Sequence, residues 1–104
     1  MSASYRVTIT PSALRDMEEI YSYISDKLFA PQAALRQYDR IADAAQTLSY
    51  MPERFQRFSL PNGKAPGLRR RVVDNYSLFY YIRGDEVIVT NVLYSAMDLS
   101  KRLQ

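Results

Sequence analysis

The chain has no cysteine, no histidine and no tryptophan. Without cysteine there is no disulfide framework and no thiolate metal site, which fits a reducing compartment. Without histidine the commonest general base and the commonest metal ligand are both missing. Any chemistry must therefore come from carboxylate, tyrosine, lysine or arginine, and no cofactor or metal is expected. Long apolar runs are also missing: none approaches the ~20 residues of a membrane span. The opening MSASYRVTIT lacks a basic stretch followed by an apolar one, so no signal peptide is read. A cytoplasmic protein with no membrane contact is expected.

What is present is one small domain. At 104 residues with 47% apolar content, the chain can bury a core without covalent staples. Its net charge of +3 is unevenly placed. Between Pro52 and Val73 lie Arg54, Arg57, Lys64, Arg69, Arg70 and Arg71 against Glu53 alone, whereas the remainder holds eight basic and ten acidic residues. Positive charge gathered in this way suits an anionic partner, either nucleic acid or an acidic protein.

The periodicity gives the elements. Tyr5, Val7 and Ile9 alternate with Arg6 and Thr8, a half-buried strand. Thr10-Pro11 supplies a helix cap and a first helical residue. Leu14, Met17, Ile20, Tyr21, Ile24 and Leu28 then recur at helical spacing, predicting a helix over Pro11–Leu28. Phe29-Ala30-Pro31 breaks it. Ala34, Tyr38, Ile41, Ala45 and Leu48 form the stripe of a second helix, which ends at Met51-Pro52. So short a connection makes the two helices an antiparallel hairpin. A long loop follows, with turn dipeptides at Asn62-Gly63 and Pro66-Gly67 and a short extended piece over Phe55–Leu60.

Three strands are expected next: Leu68–Val73, Tyr76–Ile82 and Glu86–Tyr94, joined by turns at Asp74-Asn75 and Arg83-Gly84-Asp85. The last is apolar on both alternating faces, so it belongs inside the sheet. Met97–Leu103 is expected to be a short helix. The order β-α-α-β-β-β gives an α+β fold, a helical hairpin on one face of a mostly antiparallel four-stranded sheet. Arg69 and Arg71 share one strand face. Arg70 is expected to follow Leu68 and Val72 towards the helices. The aromatics Tyr76, Phe79, Tyr80 and Tyr81 are expected to pack in the sheet rather than stack on bases.

This order resembles the RelE/ParE toxin superfamily. The resemblance rests on the loop ending Lys64-Ala65-Pro66-Gly67 and on LRRRVVDNYSLFYYI and EVIVTNVLYSAMDLSKRL. Within them it is carried by Leu68, Arg69, Arg71, Val72, Asn75, Tyr76, Phe79, Tyr80, Val89, Val92, Leu93 and Asp98. It implies a toxin of a bacterial type II toxin–antitoxin module, concerned with growth arrest or plasmid stabilisation and neutralised by a cognate antitoxin. The superfamily divides by target. One branch cleaves mRNA in the ribosomal A site; the other poisons DNA gyrase and lacks the cleavage residues.

Metal-free RNA cleavage needs a base for the 2′-hydroxyl, cations at the phosphorane and an acid for the leaving oxygen. On the resemblance, Arg71 corresponds to the strand arginine placed at the scissile phosphate, where a guanidinium fork fits. Where many relatives have histidine and then a basic pair, this chain has Tyr94, Ala96 and Met97. Ser77 stands where cleaving relatives have arginine. Tyr94 could serve as an acid and Glu53 as a base, which would make Arg71, Tyr94 and Glu53 the catalytic set of an endoribonuclease. The departures favour the gyrase branch. A non-toxic binding module of the same fold is the third expectation.

Overall fold

A computed structural model describes residues 4–60, 63 and 65–97. Strand β1 (Arg6–Ile9) leads into helix α1 (Pro11–Ser22). The junction is fixed by Thr10, whose Oγ1 accepts the Ala13 N–H at 3.1 Å, while Pro11 takes a position that needs no hydrogen-bond donor. The expected single helix to Leu28 is instead α1 followed by a wider, π-helical turn over Tyr23–Lys27. Phe29 then adopts a φ of +53°, which stops the helix before Ala30. Helix α2 (Pro31–Gln46) opens on the second proline and tightens into a 3₁₀ turn, Thr47–Ser49. Another 3₁₀ turn, Pro52–Arg54, follows Met51.

The sheet comprises β1, β2 (Arg69–Val73), β3 (Tyr76–Arg83) and β4 (Glu86–Tyr94) in the order β1-β4-β3-β2. β4 is interior, as its two apolar faces require. It pairs in parallel with β1 and antiparallel with β3. Thr90 is an extra residue in β4, since Tyr80 faces Val89 while Phe79 faces Asn91. The bulge places the Val92 N–H against α1, where the buried Asp16 carboxylate accepts it at 2.9 Å and takes the Asn91 amide at 3.3 Å. A buried carboxylate needs such donors, and here it ties helix to sheet.

Two cores lie on the two sheet faces. The larger joins Ala13, Met17, Ile41, Ala44, Ala45 and Leu48 to Val73, Leu78, Tyr80, Val87, Val89 and Val92. The smaller joins Phe79 and Leu93 to Leu60 and Leu68, with Phe58, Ala65 and Tyr81 packed against it. The loop after α2 therefore covers the face opposite the helices. Its start is extended, as expected: the Phe58 N–H donates to Leu68 O at 2.8 Å and the Arg70 N–H to Gln56 O at 3.1 Å. The helix expected over Met97–Leu103 lies outside the described residues beyond Met97, as do Asn62 of the first turn dipeptide and Lys64. No helix among the described residues is long and apolar enough to cross a membrane.

Candidate functional site

The basic stretch is divided between the two faces. Arg71 pairs with Leu78 and Arg69 with Tyr80, so both follow Val73 onto the helix face. Arg70 pairs with Phe79 and lies on the opposite face. This corrects the expectation that Arg70 turns towards the helices. β2 is an edge strand, and long arginine stems cross the edge of the core while their heads reach polar groups beyond it.

The helix-face arginines gather around Phe55. Arg71 donates to Ala44 O at 2.8 Å and to Thr47 Oγ1, capping the end of α2. A cation there meets unpaired carbonyls and the negative end of the helix dipole. Its guanidinium carbon lies 4.9 Å from the Phe55 ring centroid, and that of Arg54 lies 4.8 Å from the same ring. Arg54 also donates to Tyr50 O. Arg69 donates to Phe55 O at 2.6 Å and Glu53 O at 3.0 Å. Arg57 stands opposite Arg69 in the short pairing beside β2. Burial, and secondarily the like charge of Arg54, lower the pKa of Arg71 from its ordinary value. Beneath the cluster, the buried Tyr80 hydroxyl donates to Pro52 O at 2.6 Å. Burial pushes its pKa up to about 12, against the pull of Arg69, Arg54 and Arg71.

Glu53 sits at the rim of this cluster. Its carboxyl is held below the usual range, first by its own backbone N–H and then by the Tyr5 hydroxyl, which donates to it at 2.8 Å. A base for a 2′-hydroxyl works best with a pKa raised towards neutrality, and these contacts act in the opposite direction. Tyr94 is elsewhere. It pairs with Tyr76, whose ring it meets edge-on at 5.9 Å, and lines a groove with Tyr23 and Leu28 near α1. Arg71 and Tyr94 lie two strands and two residues apart on the ladder, about 12 Å from backbone to backbone. Their side chains reach towards different helices. Arg71, Tyr94 and Glu53 are thus not brought together.

The opposite face holds a smaller polar group that the sequence reading missed. Arg70 Nε donates to Ser77 Oγ at 2.9 Å, and Ser77 Oγ lies 2.7 Å from Ser95 Oγ. Arg70 also lies over Phe58, 5.5 Å from its centroid. The residue opposite Ser77 on β2 is Val72, not an arginine. Glu86 pairs with Arg83, six residues along β3 from Ser77, and accepts from Thr8 at 2.5 Å. Among the described residues this group therefore comprises one guanidinium and two hydroxyls, with no carboxylate hydrogen-bonded to them. The Ser77–Ser95 contact could be anticipated only once the bulge in β4 was known. Among the described residues no group of acidic side chains is arranged to hold a metal.

Residues 7–99 match the family model for the ParE toxin of type II toxin–antitoxin systems, parDE. The chain belongs to the ParE toxin family. Two solved structures show the same fold in this family and its relatives. One is a chain of the chromosomal ParDE toxin–antitoxin system from P. aeruginosa, with a TM-score of 0.72 at 19% identity, covering 89% of this chain and 98% of that one. The other is from the RelBE2 toxin–antitoxin complex of Mycobacterium tuberculosis, with a TM-score of 0.61 at 20% identity, covering 88% and 98%. No curated relative matches the chain. The ParE assignment agrees with the β-α-α-β-β-β order and with the resemblance carried by the second half of the sequence.

Proposed function

We propose that this ParE-family toxin arrests growth by binding DNA gyrase rather than by cutting RNA, and that a cognate antitoxin neutralises it. The observation that carries the reading is the separation of the residues a nuclease would need. Arg71 is spent on the end of α2, Tyr94 packs on Tyr76 away from it, and Glu53 is made a weaker base than an ordinary carboxylate. On the other face the Arg70 guanidinium donates to the Ser77 hydroxyl, and among the described residues no carboxylate bonds to it. Acid–base cleavage supplies its rate only when the proton-transferring groups reach one phosphate together. A binding poison needs a surface instead, and the arginines around Phe55 provide one. The antitoxin follows from likeness to the ParDE and RelBE structures, both from toxin–antitoxin systems.

The test is a supercoiling and cleavage-complex assay with purified toxin and gyrase. Inhibited supercoiling with accumulation of cleaved DNA is expected. Unchanged gyrase activity at a toxin concentration that stops growth would reject the proposal, and codon-spaced cuts in translated mRNA would transfer the activity to the ribosome.

A further inference from the structure

We propose that the groove between α1 and the paired ends of β3 and β4 is the seat of the chain's own C-terminal segment, residues 98–104. The groove has a volume of about 540 Å³. Ile20, Tyr23 and Leu28 line it from the helical side, and Tyr76, Tyr94 and Met97 from the strand ends. Tyr23 is 56% exposed, Leu28 54% and Tyr94 47%, so its rim is apolar and open to water. Apolar surface gathered in this way marks a contact site. The wider helical turn over Tyr23–Lys27 runs into this rim, and such turns are frequent at functional sites. Two carboxylates, Asp16 and Glu19, line the same groove. Asp16 is buried and bonded to Val92 and Asn91; Glu19 is exposed on α1.

Position and chemistry select the occupant. The Ser95 N–H donates to Asn75 O at 2.8 Å and the Met97 N–H to Tyr94 O at 3.0 Å. The chain thus turns after β4 and reaches Met97 on the groove wall. The next residues are Asp98-Leu99-Ser100-Lys101-Arg102-Leu103-Gln104, with two leucines and two cations against one carboxylate. In the helical form expected from the sequence, Leu99 and Leu103 share one face. Arg102 flanks that face and Lys101 points away from it. The leucines suit the apolar walls, and Arg102 suits Glu19 at the rim. A segment tethered at the groove also has an effective concentration that a free peptide of the same composition lacks. Seated, it closes the groove and holds Arg102 against the fold. Released, it offers a partner an apolar groove and a basic tail at once. The seating is independent of the target the toxin meets.

Because the chain lacks cysteine, Gln104→Cys gives a single attachment point for a nitroxide spin label. Paramagnetic broadening of backbone amides in the full-length, isotope-labelled toxin is then read by NMR. Strong broadening at Ile20, Tyr23 and Tyr94 is expected. None is expected at Gly84, in the turn about 25 Å away at the far end of β3. Replacing both leucines, Leu99→Ser with Leu103→Ser, should lower the ratio of seated to free segment about tenfold or more. Arg102→Gln and Glu19→Gln should each lower it about two- to threefold, and the two together no further, as for one exposed ion pair. Lys101→Gln should leave it unchanged. Broadening spread evenly over the surface, or groove broadening that survives the leucine substitutions, would overturn the seat. So would broadening that arises only when spin-labelled chain is mixed with isotope-labelled chain carrying no spin label, because the segment would then sit on a second copy.

Discussion

Replacing Arg71 by alanine removes three contacts at one point: the bond to Ala44 O, the bond to Thr47 Oγ1 and the stacking on Phe55. Hydrogen bonds from a charged donor contribute about 1.5–3 kcal/mol, and a cation over an aromatic ring about 0.5–1 kcal/mol at an exposed site. The carbonyls at the end of α2 can be rehydrated, and the variant is relieved of repulsion from Arg54, so part of the loss is returned. A net destabilisation of about 2 kcal/mol is expected. For a domain of this size that lowers the melting temperature by about 10 °C. The slope of a urea titration should stay unchanged, because the surface exposed on unfolding is the same. The variant should remain folded at 25 °C, since small domains have about 5–15 kcal/mol in reserve. Arg71→Lys should recover part of the loss, as an ammonium can reach one acceptor but lacks the planar fork. The assay is a thermal melt by circular dichroism on all three proteins, alongside growth arrest from matched expression. An unchanged melting temperature with complete loss of arrest would refute the reasoning, because Arg71 would then serve a target rather than the helix end.

Other outcomes follow from the same geometry. Tyr94→Phe should arrest growth as well as the parent; a large loss in a growth curve would put the hydroxyl in the chemistry. Asp16→Ala should cost about 1–3 kcal/mol in a urea titration by leaving the Val92 N–H unpaired in the core, with Asp16→Asn intermediate. Asp74 accepts from Arg40 at 2.8 and 2.9 Å and from Gln37 at 3.0 Å, and these contacts, Arg40 first, lower its pKa in the folded chain. A carboxyl with a depressed folded pKa contributes stability that is present above its unfolded pKa and lost as pH falls through the folded one. The urea midpoint of Asp74→Asn should therefore lie below the parent's at pH 7, and the gap should close as the pH falls through the lowered folded pKa of Asp74. A gap that stayed constant with pH would remove the charge from the explanation.

Much of the fold was legible in the residues. Thr10-Pro11 marked the start of α1, Pro31 the start of α2, and the two-sided apolar pattern of Glu86–Tyr94 marked the interior strand. The wider turn at Tyr23–Lys27 was not legible, because apolar spacing continues through it. Nor was the facing of β2. Alternation separates Arg69, Arg71 and Val73 from Leu68, Arg70 and Val72, but it does not say which set meets the helices. Apolar Leu68 and Val72 suggested their own set, yet Leu68 belongs to the second core under the loop and Val72 is exposed. That core, built from Phe58, Leu60 and Phe79, is what displaced the expectation. Arg71 and Tyr94, which a linear reading had placed in one site, share the helix face but stand two strands and two residues apart on the ladder. Lys64 lies outside the described residues, so its part in the basic surface rests on sequence alone.

The central claim is that this ParE-family chain acts by binding and not by cleavage. Primer extension on an abundant translated mRNA, minutes after a pulse of toxin expression, tests it most directly. Intact transcripts during growth arrest, in the parent and in Tyr94→Phe alike, are the predicted result. Strong cuts within codons that vanish in Tyr94→Phe or Arg71→Lys would contradict it and make the chain a ribosome-dependent endoribonuclease.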